Sequence, residues 1–393
     1  MRKMKAHVCL LLSLLMLFTL TACGGTSAPP AAPPSSAPAD TGEPAVSIDP
    51  IHLTASTGLP GVMYYNEYYF QPFLKYVSDA TNGTVTYDIF TDGELVPLTA
   101  EYDAIRQGQV DVSLSLTAMY DPGRFPLCSV AMLPIISATP RACSMASLAM
   151  YQSDRLLDGK TYYDREFTDN GIVGWISPAF GGQYFAMRKG LSINNIQDFQ
   201  GLRMRSSATS VELTLKELGS VPVSMSAMDI YDALSRGALD GIVFPPDWES
   251  YGMGELLGDV IDANMGVAST TSWISVTQET WDSWPKEVQD AFNAAFEQCY
   301  VEAIQGTELT AQMNRDAVTN NGGRLLTIAD LPQDVQDFVS ECYAKTWYSW
   351  IDETEANGHP GKETAILWRD CLVEAGVTVP EAIMDLENYT PNA

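Results

Sequence analysis

The chain has 393 residues with 22 Lys+Arg against 49 Asp+Glu, a formal net charge of −27. That balance excludes nucleic acid as a partner, because phosphate backbones are gripped by clustered cations and none occur here. An apolar share of 46% with 18% charged residues describes a folded chain, long enough for two domains. The G-x-G-x-x-G, P-loop, H-E-x-x-H and G-x-S-x-G patterns are absent. Of three histidines His7 lies in the leader, so His52 and His359 remain, too few and too far apart for a His-based metal site.

The first element is a leader. Arg2, Lys3 and Lys5 precede an apolar run from Val8 to Phe18, a basic n-region and an h-region of signal-peptide length, too short to read as a membrane span. Leu20-Thr21-Ala22-Cys23 resembles the lipobox of bacterial lipoproteins, which implies cleavage after residue 22 and acylation of Cys23. Loss of the leader's three cations takes the charge to −30. Residues 23–47 are rich in Pro, Ala, Ser and Gly and read as an extended tether, having no apolar face to bury. The expected product is extracytoplasmic, lipid-anchored at the outer face of a membrane or in a periplasm. Cys9 and Cys23 aside, five cysteines remain, an odd number that leaves both a Cys128–Cys143 bridge and separate buried thiols open.

From Ile48 the pattern alternates strand and helix. Ile51–Ala55 reads as a strand; Tyr69–Ala80 as a helix with Tyr69, Phe73, Tyr76 and Val77 on one face, closed by Asn82-Gly83; Thr84–Phe90 as a strand. A helix over Thr99–Gln107 stops at Gly108, and Val110–Leu114 is the next strand, so this α/β region calls for a parallel sheet. Gly171–Ile176 is a further strand. Val211, Leu215 and Leu218 mark a helix ended by Gly219, and Ser226 with Asp229 suggests a capping box before Ile230 and Leu234. Val288, Phe292, Phe296 and Cys299 make the buried stripe of a long helix, and a last one covers 332–351.

One ordered set of these pieces is specific. Asp198-Phe199-Gln200-Gly201-Leu202-Arg203-Met204-Arg205 is followed by Gly219, Pro222, Ile230-Tyr231-Asp232-Ala233-Leu234, Gly237 and Leu239-Asp240-Gly241. Together with Thr81–Val85, Glu101 to Asp111 and Leu133-Pro134, it resembles the extracytoplasmic solute-binding subunits of TRAP transporters, the DctP-like carriers of organic acids. Gln200, Arg203 and Asp229 depart mildly from the family's Lys, Lys and Glu.

The resemblance implies an α/β fold of two lobes, like type II periplasmic binding proteins, with crossing strands and a ligand cleft between. Lobe I would take 48–174 plus about 268–305, lobe II 175–267, and 306–393 would be helices bracing both. Arg205 stands where the family forms a two-point salt bridge with the ligand carboxylate. Chemistry supports that choice, since guanidinium offers a planar donor fork and stays charged when desolvated. Arg203, two residues away on the strand, is expected in solvent. Phe244 falls where relatives of polar acids carry an asparagine, with Trp248 shortly after, and Gly181–Phe185 covers a stretch where relatives place a second polar contact, so Tyr184 and Phe185 replace charge with rings. Tyr64, Tyr65 and Trp273 are further ring candidates, favouring an apolar or aromatic ligand body. Glu101 matches an acidic position that contacts ligand or caps its helix.

The function implied is capture of a small organic acid and delivery to a membrane TRAP permease for ion-driven uptake, with neither cofactor nor metal and no catalysis. A binding protein feeding a sensor kinase is an alternative. An extracellular hydrolase using carboxylates alone is another, since 49 acids always offer pairs.

Overall fold

The computed structural model describes residues 49–179, 181–266 and 271–392. The leader, Cys23 and the tether to residue 47 lie outside the described residues. In the first lobe β1 (Ile51–Ser56) runs parallel to β2 (Val85–Phe90) and β3 (Val112–Ser115), the arrangement expected when helices connect successive strands. The helix Gln71–Ala80 makes the first connection. A π-helical turn, Asn66–Phe70, precedes it, and the chain leaves it through two left-handed residues, Asn82 and Gly83. Tyr69, Phe73 and Val77 are buried as the spacing requires.

The sheet is completed by β4 (Ile172–Ile176) and β10 (Trp273–Thr277), in the order β2-β1-β3-β10-β4, with β10 antiparallel to both neighbours. The second lobe is a six-stranded sheet from β5 (Tyr184–Arg188), β6 (Arg203–Ser206), β7 (Val221–Ser224), β8 (Gly241–Phe244), β9 (Leu257–Asp262) and β11 (Arg324–Thr327), ordered β11-β9-β5-β8-β6-β7. The chain therefore crosses between sheets after β4 and returns after β9. The two crossings pair with each other: Ser177 N–H donates to Ser272 O, Gln183 N–H to Gly266 O, and Met265 N–H to Gln183 O.

Packing explains why two sheets persist instead of one. In the first lobe Phe292 packs against Trp284, Trp175 and Phe73 at ring-centre distances of 4.7, 5.3 and 5.6 Å. Phe292 comes from the 35-residue helix Lys286–Asn320, whose stripe Val288, Phe292, Phe296 and Cys299 is buried throughout. In the second lobe β5 alternates, so Phe185 and Met187 enter one core with Phe199, while Tyr184 and Ala186 enter the core on the other face with Trp248. The long helix also serves this lobe: Trp248 Nε1 donates to Asn314 O at 3.0 Å and Glu249 N–H to Asn314 Oδ1 at 2.9 Å.

Three local readings need adjustment. The 306–393 stretch is not purely helical, because β11 within it adds an edge strand beside β9. Ser226 does cap, accepting from Met228 N–H, but Asp229 does not return the bond, and a 3-10 turn leads into the helix Ile230–Ser235. Of the two openings left for the cysteines the structure takes the second: all five in the described residues are buried, and Cys128 Sγ accepts from the Tyr162 hydroxyl at 3.3 Å. No helix among the described residues is long and apolar enough to cross a membrane.

Candidate functional site

Arg205 sits on β6, paired with Val223 of β7 and Ile242 of β8, and is 2% exposed although it carries a full charge. Arg203, two residues earlier and so on the same face of β6, stands at the start of the strand, where that face opens to solvent. There its side chain is 45% exposed and forks onto Asp240 at 2.7 and 2.9 Å while also reaching Gly237 O, tying β6 to the Asp240-Gly241 corner. Arg205 has no such ion pair among the described residues. Its Nε and Nη2 donate to Met225 O, each at 3.3 Å, and Nη1 to Val243 O at 3.5 Å, all at the long end of hydrogen-bond range. The guanidinium lies over the Phe244 ring, 5.4 Å from its centre. Burial depresses its pKa from the ordinary arginine value, and the neighbouring Tyr120 and Tyr251 hydroxyls oppose that shift.

This cation forms one wall of a cavity of about 30 Å³ where the lobes meet. Met63, Tyr65 and Tyr120 approach from the first lobe; Phe244 and Tyr251 face them from the second, with Gln183 at the crossing. Contacts across the gap are sparse and long. Ala227 N–H donates to the Tyr120 hydroxyl at 3.4 Å, and Tyr251 Oη meets Met63 Sδ at 3.4 Å. Deeper, Asp247 is buried, with its Oδ1 accepting from Ser250 Oγ at 2.6 Å. Its charge is felt by Tyr65 and Tyr251, two of the cavity's walls.

Of the residues expected at the site, Arg205 and Phe244 line this cavity. Tyr64 stacks on Tyr65, ring centres 4.0 Å apart, and Tyr65 is the member of the pair on the wall. Tyr184 and Trp248 pack on each other at 5.6 Å in a second-lobe core, and Phe185 fills the opposite core against Phe199. Trp273 is held between Phe125 and Phe167 in the first lobe. These four rings do not line the cavity. Glu101 opens the helix Glu101–Arg106, buried at 1%, with its carboxyl raised to about 8 by burial; Gly58 N–H and the Ser113 hydroxyl lower it somewhat without closing a hydrogen bond. It too is away from the wall.

Sequence reasoning named Tyr65, which is on the wall, but missed Tyr120 and Tyr251 and gave Gln183 no role of its own. In the Gly181–Phe185 stretch Gln183 is the member that lines the cavity, and the neighbouring glycine accounts for its position. Gly182 passes so close to Asn264 that a Cβ would overlap Asn264 Oδ1, which presses the crossing flat and leaves residue 183 at the cleft.

Known proteins share this fold. Residues 64–349 match the DctP family, described as bacterial extracellular solute-binding protein, family 7. Among curated relatives, a solute-binding protein of Albidiferax ferrireducens is 22% identical over 170 residues, 43% of this chain and 46% of that protein. The C4-dicarboxylate-binding periplasmic protein DctP of Rhodobacter capsulatus is 24% identical over 249 residues, 61% of this chain and 70% of that one. The match thus spans about half the length of the first relative and somewhat over two thirds of the second. Among solved structures, a marine-metagenome TRAP solute-binding protein specific for aromatic acid ligands, with 3-hydroxybenzoate, superposes at a TM-score of 0.72 with 20% identity, covering 84% of this chain and 99% of that one. A TRAP periplasmic solute-binding protein of Bordetella bronchiseptica with bound mandelate gives 0.69 at 22% identity, covering 83% and 99%.

Proposed function

The chain belongs to the DctP family of bacterial extracellular solute-binding proteins, and from that premise we propose that it captures a small organic acid between its lobes through Arg205 and passes it to a membrane TRAP permease. The observation that carries this reading is the charge on Arg205. A buried cation without a carboxylate partner costs several kcal/mol of lost hydration, and carbonyls at 3.3–3.5 Å replace little of it. A ligand carboxylate entering the cavity would accept two donors at once and supply the missing countercharge. Apart from Gln183 and Ser207 the remaining walls are rings, thioethers and aliphatic side chains, matched to an apolar or aromatic ligand body. Solved relatives of the same fold that hold hydroxybenzoate or mandelate support that class.

The cavity is narrow and bridged by few contacts, so entry requires the lobes to part about the paired crossings and close again. Lipid attachment at Cys23 would hold the body at the membrane surface within reach of a permease, a role supported by the leader and by the tether's composition.

A thermal-shift screen against aromatic, branched-chain and C4 acids tests the proposal, with Arg205→Ala alongside. A ligand at 100 times its Kd stabilises the fold by about 2.7 kcal/mol. An acid class that raises the melting temperature of the wild type and not of the variant is expected. An equal response from both would remove Arg205 from the site.

A further inference from the structure

Two polar atoms in the cavity have no hydrogen-bond partner among the described residues: Gln183 Oε1 and Ser207 Oγ. Both residues are buried, at 1% and 5% exposure, and both line the same wall system as Arg205. Neither is loosely placed. Gln183 is pinned through its backbone, donating to Gly266 O at 2.9 Å and accepting from Met265 N–H at 3.1 Å. Ser207 follows Arg205 by two positions, which puts both side chains on one side of the chain as it leaves β6.

A buried amide oxygen left without a donor is costly. A carboxylate cannot supply that donor, because an ionised carboxylate only accepts. The two needs are therefore complementary and must be met by different parts of one occupant. Arg205 and the Ser207 hydroxyl donate to an anionic end; Gln183 Oε1 accepts from something else. Among the described residues the cavity offers only one cationic side chain, and Asp247 lies within electrostatic reach of two of its walls, so a second carboxylate would enter without a countercharge.

Resting on the carboxylate reading above, we propose that the ligand is a monocarboxylate bearing a hydrogen-bond donor, a hydroxyl or a ring N–H, which Gln183 Oε1 accepts while Arg205 and Ser207 hold the carboxylate. Gln183 is then the residue that sets specificity: it separates hydroxylated or N–H-bearing acids from their isosteric plain analogues.

The test uses matched pairs in which donor and non-donor fill the same space: 3-hydroxybenzoate against 3-methylbenzoate, mandelate against 2-phenylpropanoate, and pyrrole-2-carboxylate against 2-furoate, with succinate as a dicarboxylate. Each is titrated calorimetrically into wild type, Gln183→Met and Gln183→Leu, with Arg205→Ala as the carboxylate control. In the pair that fits best, the donor member should bind about tenfold or more tighter to wild type, the scale set by satisfying a buried acceptor. Both Gln183 variants should reduce that ratio to within about twofold and leave the non-donor's affinity nearly unchanged. Their melting temperatures should match or exceed wild type, because an unpartnered polar atom has been removed; the wild-type pairs remain decisive if either variant folds poorly. Ring acids that bind wild type without donor preference, a preference that survives both substitutions, or succinate binding as tightly as the best ring acid would each overturn the inference while leaving the Arg205 reading intact. If none of the acids binds wild type, the carboxylate reading itself falls.

Discussion

Asp247→Asn should flatten the pH dependence of stability, and the size of the effect can be worked from the structure. Asp247 is fully buried near Tyr65 and Tyr251, Ser250 satisfies one of its oxygens, and Oδ2 has no hydrogen-bond partner among the described residues. Burial pushes its carboxyl up to about 7; the Ser250 hydrogen bond pulls it down and the charge of Glu67 adds to the rise. The unfolded chain titrates this group near 3.9. Between those values the folded state holds a proton that the unfolded state has released, so stability falls as pH rises, by up to about 1.4 kcal/mol per pH unit, and levels off above the folded pKa. From pH 5 to 7 that is roughly 2–3 kcal/mol. A body of roughly 350 residues has an unfolding entropy of about 0.7 kcal/mol/K, so the loss amounts to roughly 3–4 °C. Glu101, raised to about 8, and Glu166, raised to about 7 by burial despite accepting from Leu127 and Cys128 N–H, tilt the wild-type curve the same way. The assay is therefore a difference: melting temperature of wild type minus Asp247→Asn, by scanning fluorimetry from pH 5 to 8. It should drop by roughly 3–4 °C up to pH 7 and then stay level. A difference that does not change with pH would show that Asp247 is ionised in the fold, and with it that the cleft floor is wetter than its burial indicates.

Two further perturbations probe the frame around the site. Phe292→Ala empties the junction of Phe73, Trp175 and Trp284 and should cost about 3–5 kcal/mol, read as a lowered urea midpoint with unchanged m-value; a loss below 1 kcal/mol would mean that the long helix is dispensable to the first-lobe core. Gly266→Ala places a methyl 2.1 Å from Met132 O at a φ of +94°, where L side chains are strained, so it should destabilise by about 2 kcal/mol or more and disturb the crossing that holds Gln183; a melting curve superimposable on wild type would refute the rigidity of that crossing.

What could be read in the sequence followed from local rules. β1 and β2, the helix Gln71–Ala80 and the long helix carry their periodicity in consecutive residues, and the left-handed exits at Gly83, Gly108 and Gly219 stand where glycine was expected. Arg205 was legible because it holds the last position of an ordered motif; Arg203 shares its face of β6 and is set apart by its ion pair with Asp240. The rings were not legible to the same degree. Trp273 and Phe244 both end buried on strands, yet one closes the first-lobe core and the other faces the cavity, a distinction made by sheet order and not by either residue's neighbours in sequence. Tyr65, Tyr120 and Tyr251 converge from segments more than fifty residues apart in the chain, and only tertiary structure brings them together. Likewise β11 could not be distinguished from the helices around it, since four residues at a sheet edge leave too short a pattern to register.

A chain at −27 proposed to bind acids has to separate attraction from its overall field. At physiological salt, fields from surface charges decay over about 8 Å, so the acidic exterior repels an anion only during approach and loses influence once the ligand is inside. Inside, water is excluded and a single guanidinium acts at full strength. Several surface cations are already neutralised: Arg203, Lys75 and Lys160 are paired with Asp240, Asp79 and Asp169. Buried Arg369 is paired with Asp370 and Glu387, whereas buried Arg205 has no carboxylate among the described residues, so on the proposed function anion affinity is concentrated at Arg205. Discrimination among acids then falls to the neutral groups around Arg205, because every carboxylate satisfies the arginine alike.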